Sequence, residues 1–379
     1  MSTLKFNVNE ILPALTKVAS VVNPKNSIPI LGYIMVETIE GNRVRLTSSD
    51  SDLWLQANAN IIDASDDIKF CVETKTFLQA LRNLGNREVT IELDGRNLIG
   101  TYKNGSFSIP FESTETYPLM PLQQDQKIMN IDSYHLLNAI LMTFSAVGND
   151  ELRPIINGIH FDFFKDKLVS VATDGRKLSK LTDLSIVKDD DEVVGFTMSK
   201  KTCNILRGII SEEEDLEVKY NDSSICVNSE YFTLTSRLIE GVYPNYDMVI
   251  PKDNDKNVII KKNELLESLK RIMPLGESET NFVVFELNEN VLQVQCENTA
   301  FSTSAKESIP CKYSGEHFSI CFCGSDVVNS VSNIDSDEIL IQFKSPEKAA
   351  IVVPLENAVN TSFISLLMPM RILSTTVAQ

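Results

Sequence analysis

An α+β fold built from three tandem repeats is the class the sequence predicts, and two observations carry that prediction. A short helix-like segment recurs at 74, 199 and 324, each copy 125 residues after the last. Ahead of every copy stand another helix-like segment and then a pair of alternating, strand-like runs, always in that order.

The leading helices are read over 9–22, 132–147 and 263–273. Aligning Ile11-Leu12 with Leu136-Leu137 and Leu265-Leu266 separates them by 125 and 129 residues. Asn9, Asp132 and Asn263 are the expected N-caps, because a short polar side chain can accept a free amide of the first turn. Stretches 33–49, 158–173 and 282–297 each hold two alternating runs around a polar turn, the mark of a hairpin. The second helices follow over 74–84, 199–209 and 324–334. Their apolar positions agree: Leu78, Leu81 and Leu84, then Cys203, Leu206 and Ile209, then Val328, Val331 and Ile334. Further strands are read over 89–93, 216–220 and 339–343, and over 106–111, 231–236 and 350–355. Tyr117-Pro118 and Tyr243-Pro244 close the first two repeats in linker-like sequence. The expected boundaries give repeats 1–126, 127–254 and 255–379, each with two helices on antiparallel sheet.

Net charge is -17, which taken as a whole argues against a binder of phosphate. The second helices reverse that locally. Lys75, Gln79 and Arg82, and likewise Lys200, Asn204 and Arg207, run i, i+4, i+7 and share one helix face. Neither 74–87 nor 199–210 contains an acid, in a chain with 52 acids and 35 bases. The third copy carries Ser325, Asn329 and Ser332 instead, while Lys261, Lys262, Lys270 and Arg271 mark that repeat's first helix. Basic helix faces with no aromatic and no obvious base-reading set suit phosphate contact rather than sequence readout.

No catalytic constellation emerges. His135, His160 and His317 lie in no HExxH-like motif. Cys311, His317, Cys321 and Cys323 form the best metal candidate, but alternation through Cys321-Phe-Cys323 reads equally as a buried strand. Gly95 to Gly100 lacks the Lys of a phosphate loop, and there is no GxSxG. Asp50 and Asp52 follow a strand among serines and read as a turn. No cofactor is expected. Met1-Ser-Thr-Leu-Lys-Phe has no basic region followed by an apolar core, no apolar run nears ~18 residues, and seven scattered Cys suggest no disulfide framework. A cytoplasmic protein with reduced thiols is the expectation.

Three such repeats, Ile28-Pro-Ile-Leu-Gly32, Ala172-Thr-Asp-Gly-Arg-Lys-Leu178 and Met368-Pro-Met-Arg371 together resemble the bacterial DNA polymerase III beta subunit, the beta sliding clamp family. The resemblance spans essentially the whole chain. It implies a non-enzymatic processivity factor: a head-to-tail homodimer closing a six-domain ring around duplex DNA, with helices lining the hole. Closure by rotation is what such a heterologous contact requires. Lys25, Arg153 and Lys201 then join Lys75, Arg82, Lys200 and Arg207 at the DNA, bound without sequence specificity. The dimer contact would set the edge strand with Phe107 and Ile109 against Ile272 and Leu275 of the other subunit.

The resemblance also implies a pocket that takes short linear motifs of the polymerase alpha subunit, the clamp loader, other polymerases and mismatch-repair proteins. Its residues would be Ile156, Thr173, Gly175, Arg176, Lys177, Leu178, Pro244, Met248, Val249, Leu366, Leu367, Met368, Pro369, Met370 and Arg371. From the residues alone, 366–370 is either a last core strand or an exposed apolar surface, and Pro369 opposes a central strand. Met suits a surface that accepts varied peptides. Four features depart from the family pattern: Lys177 and Met248 where Arg is frequent, Pro154 and Ile155 in place of a DNA-touching aromatic pair, and the continuation past Ile372. Two other readings stay open: a repeat scaffold binding only proteins, and a hydrolase with an unrecognised site.

Overall fold

The computed structural model describes residues 2–23, 26–65, 67–120, 126–188, 191–211, 214–277 and 281–370. The chain forms two compact units: residues 1–134 with 204–238, and residues 135–203 with 239–379. Among the described residues each is organised on one sheet, of thirteen and twelve strands, in which every pairing of neighbours is antiparallel.

The first sheet runs from Lys127–Asp132 through Asp215–Tyr220, Ser224–Asn228 and Phe232–Arg237 to Leu53–Asn60, Arg43–Ser49 and Tyr33–Ile39. It ends through Lys69–Glu73, Gly105–Glu112, Asn97–Tyr102, Glu88–Asp94 and Thr3–Asn7 at Asp63–Ala64. The second runs from Val194–Ser199 through Gly158–Phe163, Leu168–Thr173 and Lys177–Asp183 to Thr361–Leu367, Ala350–Pro354 and Glu338–Phe343. It ends through Lys256–Lys261, Thr303–Lys312, Val291–Asn298 and Phe282–Asn288 at Phe318–Cys323. The middle third of the sequence thus gives four strands to each sheet. A strand satisfies its backbone amides on any neighbouring edge, so sheets need not respect sequence repeats.

All six expected helices are present: α1 Val8–Ala19, α2 Thr74–Arg82, α3 Ser133–Thr143, α4 Lys200–Ile209, α5 Lys262–Ile272 and α6 Gly324–Ser332. Two caps differ from expectation. Asn7, not Asn9, caps α1 by accepting the Asn9 amide, because Val8 is already buried in the first turn. α5 begins after Lys261 with no side-chain cap. Asp132 does cap α3, accepting the Tyr134 amide at 2.7 Å. Of the apolar positions expected on the second helices, Leu81, Cys203, Leu206, Ile209, Val331 and Ile334 are buried, and Leu78, Leu84 and Val328 are half-buried. Phe77 and Leu81, Thr202 and Leu206, and Val327 and Val331 point inward as pairs. A 3.6-residue period keeps i and i+4 on one face.

The segment 366–370 divides between its two readings. Thr361–Leu367 is an inner strand, paired on both sides, and Met368-Pro-Met leaves the sheet where Pro369 would deny a ladder donor.

Candidate functional site

The second unit contains a cleft of about 370 Å³ whose rim is the turn joining Leu168–Thr173 to Lys177–Asp183. Asp174 shapes this turn: one carboxylate oxygen accepts the amides of Arg176 and Lys177, both at 2.9 Å. The Thr173 hydroxyl accepts the Gly175 amide at 3.1 Å and donates to the Lys177 carbonyl at 2.7 Å. Gly175 has φ +87°, where a side chain would be strained, and a Cβ there would also meet the Arg153 guanidinium at 3.3 Å.

Lys177 is buried beneath this rim. Its amine reaches Asp174 at 2.8 Å and Asp326 of α6 at 2.7 Å, and Arg176 stands 3.5 Å from the same Asp326. Burial works against the charged amine, but the two carboxylates outweigh it and hold the Lys177 pKa above its ordinary value. Burial likewise opposes ionisation of Asp174, and the hydrogen bonds from Lys177 and the turn amides overcome it and lower its pKa.

The floor is apolar. Leu178 and Leu366 face each other in register, buried at 2% and 4% exposure, and cluster with Val171, Tyr243 and Ala349. Tyr243 stacks on His160 with centroids 4.5 Å apart and planes 6° apart. Tyr246 stands on the wall, its hydroxyl donating to Asp162 at 2.7 Å. Asp162 also approaches His160 Nε2 at 3.2 Å. Burial opposes the Asp162 charge, yet His160 and Tyr246 keep its pKa low, while burial and that carboxylate raise the Tyr246 pKa. Val249 and Met368, 58% and 45% exposed, form an apolar lip. A few fixed polar groups around an apolar floor suit capture of short apolar side chains.

Of the expected pocket residues, Ile156, Thr173, Gly175, Arg176, Lys177, Leu178, Pro244, Val249, Leu366 and Met368 line the cleft together. Met248, Leu367, Pro369 and Met370 do not. Met248 is 82% exposed, Leu367 points to the opposite face of its strand, and the Met370 amide is tied to the Cys321 carbonyl at 2.8 Å. Arg371 lies outside the described residues, as does Lys25. Sequence reasoning missed Tyr243, Asn245 and Tyr246. Their signal is the Tyr243-Pro244 pair that closes the second repeat.

Arg153, expected at DNA, also borders the cleft, with Nε and Nη2 both 2.8 Å from Asp150. Lys75, Gln79 and Arg82 are all exposed on α2; Lys200, Asn204 and Arg207 are exposed on α4, and Lys201 is half-buried. Among the described residues neither Lys75 nor Arg82 is paired with a carboxylate. The basic face of α2 therefore stands open to solvent.

The expected dimer contact divides. Among the described residues the strand Gly105–Glu112 pairs on its outer side only through Phe111 and Glu112, which leaves the edge of 105–110 open there. Phe107 lies half-buried over Gly100, where a Cβ would come within 2.1 Å of the ring. Ile109 is 3% exposed and Ile272 2% exposed, so both are core residues of the single chain; Leu275, at 45%, is available. Ile109 shares its strand face with Phe107 by the pleat alternation and is the more deeply covered of the two.

Among the described residues no group of three or more His, Cys, Asp or Glu is placed to hold a metal ion. The Cys321 thiol instead donates to the Val283 carbonyl at 3.2 Å. Asp50 accepts the amides of Asp52 and Leu53, as a turn residue does. No helix among the described residues is long and apolar enough to cross a membrane.

Three family models match in succession: the N-terminal domain of the DNA polymerase III beta subunit over residues 3–121, its central domain over 130–245 and its C-terminal domain over 247–371. The beta sliding clamp of Halalkalibacterium halodurans is 24% identical, the match covering 90% of this chain and 92% of that one. The DNA polymerase III subunit beta of Pseudomonas aeruginosa superposes with a TM-score of 0.90 at 21% identity, covering 98% of this chain and 100% of that one. A structure of the sliding clamp from the same organism bound to griselimycin gives 0.89 at 22%, with the same coverage.

Proposed function

The chain belongs to the DNA polymerase III beta subunit family, and from that premise we propose that it is a ring-forming sliding clamp that confers processivity by topology rather than by chemistry. The observation that carries this reading is the threefold repeat, each third with its own matching family domain. Two head-to-tail chains close the ring in the cytoplasm, and the repeats meet near residues 126 and 254. Lys75, Arg82, Lys200 and Arg207 face duplex DNA, where their cations replace counterions condensed on the phosphates. Contact is sequence-independent, because these helices carry no base-reading set. Retention on DNA then depends on the ring being closed, which leaves phosphate contacts free to be weak enough for sliding.

The cleft around Leu178, Leu366 and Met368 is the docking site for short linear motifs of the polymerase alpha subunit, the clamp loader, other polymerases and mismatch-repair proteins. A small apolar floor offers few anchors and a peptide loses entropy on ordering, so single motifs bind with moderate affinity. Two identical clefts per ring raise the effective concentration of each enzyme at the DNA. The test loads the protein on nicked circular DNA with a clamp loader and then linearises it. Retention on the circle and loss from the linear form are expected; equal release from both refutes the ring. Griselimycin serves as the probe of the cleft, with competition against a polymerase-derived peptide as the readout.

A further inference from the structure

We infer that the first compact unit carries a second, closed copy of the partner cleft, whose occupant is the chain's own Trp54. This rests on the reading of the first cleft as a docking site. Four hydrogen bonds of the rim turn recur. The Asp50 amide donates to the Leu53 carbonyl at 3.1 Å, as Asp174 donates to Lys177 at 3.3 Å. The Ser51 amide donates to the Ser49 hydroxyl at 3.0 Å, as Gly175 does to Thr173. Asp50 accepts the amides of Asp52 and Leu53 at 3.1 and 2.8 Å, as Asp174 does those of Arg176 and Lys177. Even the left-handed residue recurs, Ser51 at φ 81° in the place of Gly175 at φ 87°.

The walls recur as well. The Arg237 amide donates to the Asp52 carbonyl at 2.9 Å, as Met368 does to Arg176 at 2.8 Å. Trp54 pairs with Thr235 where Leu178 pairs with Leu366. The short helix Pro29–Gly32 stands where Pro154–Ile156 borders the open cleft, and Tyr117-Pro118 stands where Tyr243-Pro244 does. Both tyrosines are buried.

Three side chains decide which copy is open. Trp54, in the place of Leu178, is 4% exposed, and its indole N–H donates to the Pro118 carbonyl at 3.2 Å. The indole thus spans from the floor to the linker wall. Arg237, in the place of Met368, turns its guanidinium to Asp52 at 3.6 Å. Thr235, in the place of Leu366, removes an aliphatic floor residue. A built framework whose apolar volume is filled from within limits each chain to one partner motif.

Two arms test this. The triple variant Trp54→Leu, Thr235→Leu, Arg237→Met installs the lining of the open cleft, and griselimycin is titrated calorimetrically. One molecule per chain is expected for the wild type and two for the folded variant. Adding Leu178→Ala and Met368→Ala should return the variant to one and the wild type to none. A folded triple variant that binds one overturns the inference while leaving the first cleft intact; a wild type that binds none counts against the first cleft itself. The second arm is independent of that cleft and of the triple variant's folding. Trp54→Ala should take up indole with a saturable rise in melting temperature that the wild type does not show, because a dry apolar cavity binds an apolar ligand of its own shape. No effect of indole on Trp54→Ala overturns the inference.

Discussion

Replacing Lys177 by Met removes a cation held 2.8 Å from Asp174 and 2.7 Å from Asp326, with side-chain exposures of only 9%, 18% and 12%. Breaking a buried ion pair from one side costs about 3–5 kcal/mol, since the remaining charge is neither solvated nor paired. Here the lower end applies. Asp174 keeps two amide donors at 2.9 Å and Asp326 keeps Arg176 at 3.5 Å, so a loss of about 3 kcal/mol is expected near neutral pH. Against a total of roughly 5–15 kcal/mol the variant still folds. The pH dependence has a fixed sign. Asp174 is lowered on folding, so its contribution is present above its unfolded value near ~3.9 and is lost as pH falls through the folded one. Lys177 is raised, so its contribution is full below ~10.4 and is lost only as pH climbs past the folded value. The deficit of Lys177→Met should be level from about pH 5 to 10 and shrink in acid, where a protonated Asp174 no longer needs the amine. Urea unfolding of both proteins from pH 2.5 to 9, read at constant m-value, measures this directly. A deficit below about 1 kcal/mol at pH 7, or one undiminished in acid, refutes the account.

Other outcomes follow from the same geometry. Phe107→Asp with Leu275→Asp should give folded monomers by sedimentation, whereas Ile109→Asp, which puts a carboxylate in the core, should lose the cooperative unfolding transition altogether. A folded Ile109→Asp protein would contradict the inward placement. Alanine at Lys75, Arg82, Lys200 and Arg207 should weaken duplex binding alike for all sequences and flatten its salt dependence by about 0.9 per lost phosphate contact; an unchanged slope counts against those helices. Met368→Ala, at a half-exposed lip, should leave the melting temperature nearly unchanged while weakening griselimycin or motif binding by about tenfold, roughly 1.4 kcal/mol. Wild-type affinity in that variant would remove Met368 from the cleft.

Repeat order, helix positions and the two basic faces were written locally in the chain. Apolar spacing, caps and the acid-free runs act between residues close in sequence, so they can be read without coordinates. Asp132 as a cap and Lys75 with Arg82 on an open face belong to this group. So does the Asp50 turn, because an aspartate accepts amides two and three residues on whatever surrounds it. Other features depended on partners remote in sequence. The division of the middle third between two sheets, the burial of Ile109 and Ile272, the place of Arg153 at the cleft and the tie of Lys177 to Asp326, 149 residues away, all belong here. Strand edges accept any register-compatible partner, and a charged side chain takes the nearest opposite charge that folding delivers. The same turn was encoded twice, at Asp50 and at Asp174. Only tertiary packing, through Trp54 in one copy and Leu178 in the other, decided which was filled and which was left open.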